Sequence, residues 1–252
     1  METIIDYDDY FEEYMGKVYY NIMSVNDLSN IKTIVEFAPG FRWKIAYALK
    51  NINFSGTIFI IDSNKSVTEF VRKKYSEILP NSKIVVINKD LVDSIGLLPK
   101  NIDLFVANHC VDDMIISKYL VGKKLEDAFN NTTKSKEILI NCWNELKEED
   151  NLLFNIKENV YNDLTLFFES INFKFIIMSQ YKSGYYMNQK NYVEDLSKTI
   201  FDKLKTKIDI NIDNLKEALS FEFEDFDVAL NEGFSLKENI QFYDNWIAGK
   251  YK

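Results

Sequence analysis

Between Thr33 and Leu49 an apolar strand, Thr33 to Phe37 with Glu36 near its end, turns at Pro39-Gly40 directly into a helix. That helix carries Ile45, Ala48 and Leu49 at helical spacing. A strand that feeds a helix so abruptly belongs to an α/β sheet, and few other architectures place the two elements this close. Glycine has no Cβ to keep a ligand off the backbone. The turn also faces the free N–H groups and positive dipole end of the following helix. Open α/β sheets build nucleotide-type sites in this way.

The same rhythm continues down the chain. Lys32 to Phe37, Thr57 to Ile61, Ile84 to Ile87 and Ile102 to Ala107 read as four buried strands, with Asn151 to Ile156 as a fifth. Helical stripes lie between them: Val67, Phe70, Val71 and Ile78; Leu139, Cys142, Trp143 and Leu146; and, after the fifth strand, Leu164, Phe167, Phe168 and Ile171. Alternation of this kind predicts a mainly parallel sheet covered on both faces. Phe173 to Gln180 and Tyr185 to Gln189 then flank Tyr181-Lys182-Ser183-Gly184, a link short enough to predict a terminal antiparallel hairpin. The expected fold is therefore α/β, Rossmann-like, with a seven-stranded mostly parallel sheet. It divides into an N-terminal helical cap (residues 1–30), a ligand-binding core (31–190) and a helical C-terminal extension packed on the core (191–252).

Composition narrows the chemistry. A chain of 252 residues suits one full-sized domain. A net charge of −9 disfavours a general nucleic-acid binder, because phosphate neutralisation needs clustered Lys and Arg. No run approaches the ~18 apolar residues of a membrane span, and the acidic start Met1 to Asp9 does not resemble a secretory signal. Two cysteines, Cys110 and Cys142, argue against a disulfide framework, so a cytoplasmic protein is expected, as a monomer or homodimer. His109 is the sole histidine, which leaves too few ligands for a His-based metal centre; no metal is implied.

With these residues in place, the chain resembles the class I S-adenosylmethionine-dependent methyltransferases over roughly residues 31–190. An acidic residue on the first strand and a glycine-rich loop find their match in Glu36-Phe37-Ala38-Pro39-Gly40-Phe41-Arg42. Ala38 replaces the first loop glycine, and Arg42 stands where the third often lies. The acid that closes the family's second strand and binds both ribose hydroxyls corresponds to Asp62, followed by Ser63. The acid near the adenine amino group corresponds to Asp90, and the substrate-facing end of the fourth strand to Asn108-His109-Cys110-Val111-Asp112-Asp113. The resemblance implies S-adenosylmethionine as cofactor, S-adenosylhomocysteine as product, and methyl transfer to a small molecule. A dinucleotide-binding domain is the nearest competitor, but its third glycine would fall on Trp43, which is too large.

Each candidate residue carries a plainer alternative. Asp62 can accept two hydrogen bonds from a vicinal diol or cap the next helix, a role that Ser63 or Asn64 can also fill. Glu36 can meet the cofactor's ammonium group or brace the loop. Asp90 can hold the adenine or stand solvated. His109 can take the acceptor's proton or brace its loop, while Asn108 can hold substrate through its amide. Tyr14, within the stripe Tyr7, Tyr10, Phe11, Tyr14, Tyr19 and Tyr20, can lie over the cofactor mouth or in a helix core. The neighbouring acids Asp6, Asp8, Asp9, Glu12 and Glu13 favour an amine acceptor if that helix faces the site. Transfer or ring closure of the aminocarboxypropyl group, and a non-catalytic cofactor-binding role, stay as alternatives to methyl transfer.

Overall fold

The computed structural model describes residues 9–120, 128–130, 132–180, 190–220 and 240–252. In chain order the elements are α1 (Asp9–Val25), β1 (Thr33–Phe37), α2 (Lys44–Asn51), β2 (Thr57–Ile61), α3 (Lys65–Ile78), β3 (Lys83–Ile87), β4 (Asn101–Asn108) and α4 (Cys110–Tyr119). They continue with α5 (Thr133–Lys147), α6 (Asp150–Ser170), β5 (Asn172–Ser179), α7 (Lys190–Lys205), β6 (Ile208–Ile210), α8 (Ile212–Leu219) and β7 (Trp246–Tyr251). The strands form one seven-stranded sheet in the order β3-β2-β1-β4-β5-β7-β6. From β3 to β5 all pairs are parallel, and β7 runs antiparallel to both β5 and β6. The expected fold class is the one observed.

Helices cover both faces. Val35, Phe37, Phe105 and Ala107 point to one face, where α4, α5, α6 and α7 close a core around Trp143, Leu164 and Phe167. Ile34, Ile58, Leu104 and Val106 point to the other, beneath α1, α2, α3 and α8. Burial on both sides is why β1 to β4 read as nearly continuous apolar runs rather than as alternating ones.

Three expectations change. Asn151 to Ile156 is not a strand but the start of α6: Leu153, Ile156, Val160, Leu164 and Phe167 form one buried helical stripe. Leu152 and Phe154, which gave the segment its strand-like look, are 41% and 63% exposed. The fifth parallel strand is instead Asn172–Ser179, paired with β4 through Leu104↔Phe175. The antiparallel pair at the end of the sheet therefore does not come from 173–189. It comes from β6 and β7, in residues expected to form a purely helical extension, so the sheet runs on to Tyr251. Tyr185 to Gln189 lies outside the described residues.

One close approach positions the functional edge. A Cβ added at Gly16 in α1 would stand 2.6 Å from Tyr47 Cβ and 2.9 Å from the Lys44 carbonyl, so glycine lets α1 lie directly against α2. That contact carries Glu12, one turn before Gly16, and Tyr19, one turn after it, to the carboxyl end of the sheet.

Candidate functional site

The β1–α2 bend is held open by its backbone. Ala38 and Gly40 both adopt left-handed conformations, with φ of 50° and 57°. Position 38 thus keeps a glycine-like geometry although alanine occupies it. Ala38 N–H donates to the Ile61 carbonyl at 2.8 Å, which ties the bend to the end of β2. Among the described residues nothing lies within 4 Å of where a Cβ at Gly40 would stand. Among the described residues no side chain stands between a ligand and the main chain at Gly40.

Asp62 stands beside that space. Its carboxylate accepts the Asn64 N–H at 2.9 Å and the Gly40 N–H. Burial raises its pKa to about 6 against the opposing pull of these two donors. The helix cap is Asn64, whose Oδ1 accepts from Ser66 N–H at 3.0 Å, so Asp62 is not needed for that role. Ser63 is exposed. Asp90, also exposed, contributes its backbone carbonyl to Ser94 N–H at 3.1 Å. Asn88 at the same strand end braces α3 through Thr68 Oγ1 at 2.6 Å.

Glu36 does not face this opening. Its position on β1 turns it toward α2 and α3, where it is 4% exposed and accepts a hydrogen bond from Tyr75 Oη. Burial pushes its pKa up to about 8, opposed by Tyr75 and by Lys44. Lys44 is itself buried, and burial followed by the Arg42 charge lowers it to about 7. Bracing the bend, the plainer of the two roles open to Glu36, fits this placement. The folded pKa of Glu36 lies above its ordinary 4.5, so its contribution to stability is full below pH 4.5 and is lost as pH rises through about 8. Lys44 behaves oppositely: its contribution is full above its ordinary 10.5 and is lost as pH falls through about 7. Glu36→Gln removes only the first effect. Its urea-unfolding free energy should therefore improve relative to the natural protein between pH 5 and pH 8, by about 1 kcal/mol or more. A constant difference across that window would show that Glu36 is ionised when folded.

At the tip of β4 the chain turns within one residue. His109 is left-handed (φ 54°), its N–H donates to the Ser179 carbonyl at 2.9 Å, and α4 begins at Cys110. Its Nδ1 stands 3.5 Å from Gln180 Nε2, which also donates to Asp112 Oδ1 at 3.1 Å. Burial, then the charges of Lys44 and Arg42, push the imidazole down to about 3. A neutral ring at pH 7 with so low a pKa is a weak proton acceptor, because general bases work best near the operating pH. The Gln180 contact and the neutral ring fit a bracing role. Asp112 is raised to about 6 by burial. Asp113 is raised by burial and by the charges of Asp112 and Asp62, so the first turn of α4 and the β2 end share one acidic rim.

Asn108 is fixed by a residue the sequence had placed only in a general stripe. Its Oδ1 accepts from Tyr19 Oη at 3.2 Å and Ser179 Oγ at 2.8 Å, and those two hydroxyls are 2.8 Å apart. The amide N–H₂ is the donor Asn108 has left to offer. Tyr14, by contrast, is buried in the α1 core, where burial raises its phenol. The usable signal was spacing: Glu12 and Tyr19 are seven residues apart, on one helical stripe. The acids of α1 also face elsewhere than expected. Glu12 is fully buried and Asp9 accepts from the Trp43 indole at 3.0 Å, so both hold α2. Glu13 is exposed, and Asp6, Asp8 and Tyr7 lie outside the described residues. Gly40, Asp62, Asn108, His109 and Asp113 are thus brought to one edge, whereas Glu36 turns away from it.

No family model matches the chain, and no curated protein does. Among solved structures it is similar to the plantazolicin methyltransferase BpumL in complex with SAH. The identity is 12%, the match covers 96% of this chain and 84% of that one, and the TM-score is 0.40. No helix among the described residues is long and apolar enough to cross a membrane.

Proposed function

We propose that this protein binds S-adenosylmethionine at the carboxyl edge of β1, β2 and β4 and transfers its methyl group to a small-molecule acceptor. The observation that carries the reading is the pairing of Gly40 and Asp62. A clear approach to the main chain lies beside a half-buried carboxylate already aligned by two backbone N–H groups. Asp62 would hold the ribose hydroxyls, Gly40 would lie against the amino-acid end, and Asp90 would reach the adenine from the rim. The cofactor supplies an activated methyl on a sulfonium, so the protein's share is alignment and exclusion of water. Asn108, immobilised by Tyr19 and Ser179, would orient the acceptor. His109 holds the β4–α4 turn as a neutral imidazole. Asp62 and Asp112, acids at this edge, favour a cationic or amine acceptor over an anionic one.

A dinucleotide is disfavoured because Trp43, 1% exposed, fills the position where a third glycine would be needed. The deciding experiment incubates the protein with S-adenosylmethionine and a panel of amines, followed by mass spectrometry. Formation of S-adenosylhomocysteine is expected. Methylthioadenosine would instead indicate aminocarboxypropyl chemistry, and tight binding without turnover would indicate a non-catalytic member. Absence of calorimetric binding of S-adenosylhomocysteine would refute the cofactor assignment.

A further inference from the structure

The N-terminal end of α2 is already filled by the protein's own carboxylate. Glu12 comes from α1, is fully buried, and accepts the Trp43 N–H at 2.8 Å through Oε2. Its Oε1 stands 2.5 Å from Arg42 Nε. Trp43 is the N-cap of α2, and its own side chain makes no capping bond. An acid from another helix therefore does the work of a cap and sits at the positive end of the dipole. The Arg42 guanidinium, which also lies 4.7 Å over the Phe11 ring, would otherwise be a strong phosphate ligand.

We propose that Glu12 is a specificity-determining residue: it occupies the amide and guanidinium that a phosphate would use, and so bars phosphorylated adenine nucleotides from the bend. A buried carboxylate needs paired donors to remain in place, and here both donors come from the bend itself. A phosphate arriving at the same point would meet occupied partners and a fixed negative charge at short range in a weakly screened environment. S-adenosylmethionine, whose ammonium and sulfonium outweigh its single carboxylate, meets far less opposition than a nucleotide phosphate, and adenosine carries no charge at all. The inference rests on the adenosyl reading of the bend, but it concerns what that bend rejects.

The test is calorimetric titration of the natural protein and of Glu12→Gln with adenosine, ADP and S-adenosylhomocysteine, without divalent cations. In the natural protein adenosine should bind at least tenfold more tightly than ADP. In Glu12→Gln the ADP affinity should rise at least tenfold while adenosine changes by less than threefold, and adding Arg42→Ala should abolish the gain. ADP binding the natural protein as well as adenosine does would overturn the proposal, as would an unchanged ADP-to-adenosine ratio in a folded Glu12→Gln. If that variant does not fold, the ratio in the natural protein decides alone. If the natural protein binds none of the three, the adenosyl reading falls. The Glu12 assignment then survives only if the variant gains ADP, and otherwise falls with it.

Discussion

Asp62→Ala is expected to weaken S-adenosylhomocysteine binding by roughly 1.5–3 kcal/mol for each charged hydrogen bond lost, about ten- to 150-fold in Kd. Asp62 is placed for this role by a chain of short-range causes. β2 ends at Ile61, the Asp62 N–H returns to the Ile87 carbonyl at 3.2 Å, and the carboxylate is then aligned by the Asn64 and Gly40 amides. Since burial raises this group to about 6, it is largely ionised at pH 7.5 and largely protonated at pH 5. Only the ionised form accepts on both oxygens without a proton of its own. Affinity should therefore fall between pH 7.5 and pH 5, and Asp62→Ala should flatten that dependence. Asp62→Asn, which retains one acceptor oxygen, should fall between the two. A folded Asp62→Ala protein with unchanged affinity would remove this carboxylate from the site.

Trp246→Ala should lower the unfolding free energy by about 3–5 kcal/mol in chemical denaturation, the range for deleting a large buried aromatic. Trp246 is fully buried, its indole N–H donates to the Ile240 carbonyl at 2.7 Å, and its ring meets Tyr19 edge-on at 5.2 Å. Stabilities of domains are commonly about 5–15 kcal/mol, so this single change brings the protein close to its threshold. Trp246→Phe keeps most of the ring but leaves the Ile240 carbonyl unpaired, so an intermediate loss is expected. The consequence reaches the site, because Tyr19 packs on Trp246 and holds Asn108. A loss below 1 kcal/mol for Trp246→Ala would mean that Trp246 is not packed on Tyr19 in the core, and the place of β7 between β5 and β6 would fail with it.

Local segments were legible where their physics is local. Thr57 to Ile61 reads as a strand at its observed bounds, and the stripe Leu139, Cys142, Trp143 and Leu146 marks the helix Thr133–Lys147, because a buried parallel strand and an amphipathic stripe both announce themselves within a few residues. The strand ends were legible too, and with them Gly40, Asp62 and Asn108. Asn151 to Ile156 misled because a short apolar run has no decisive period. Its helical register appears only when Val160, Leu164 and Phe167 are counted with it. The reversed strand was misplaced for a different reason. Trp246 pairs with Ser179 across a large gap in sequence, and no turn signal joins them.

The roles of charged residues divide in the same way. That Glu36 ends a strand beside a bend is a property of the sequence. That it faces Tyr75 and Lys44 instead of the opening depends on which face of β1 is covered by α2 and α3. Glu12 is a similar case: in the sequence it is one acid of an acidic helix, and Arg42 and Trp43 lie some thirty residues on. The sequence by itself determined the α/β alternation, the open bend and the carboxylate beside it, since backbone conformation and hydrophobic period are set by near neighbours. Only the tertiary structure decided strand order, the source of the reversed strand and the partners of Glu12, Tyr19 and Glu36. Those depend on contacts between distant segments, where burial and charge pairing select one partner among many.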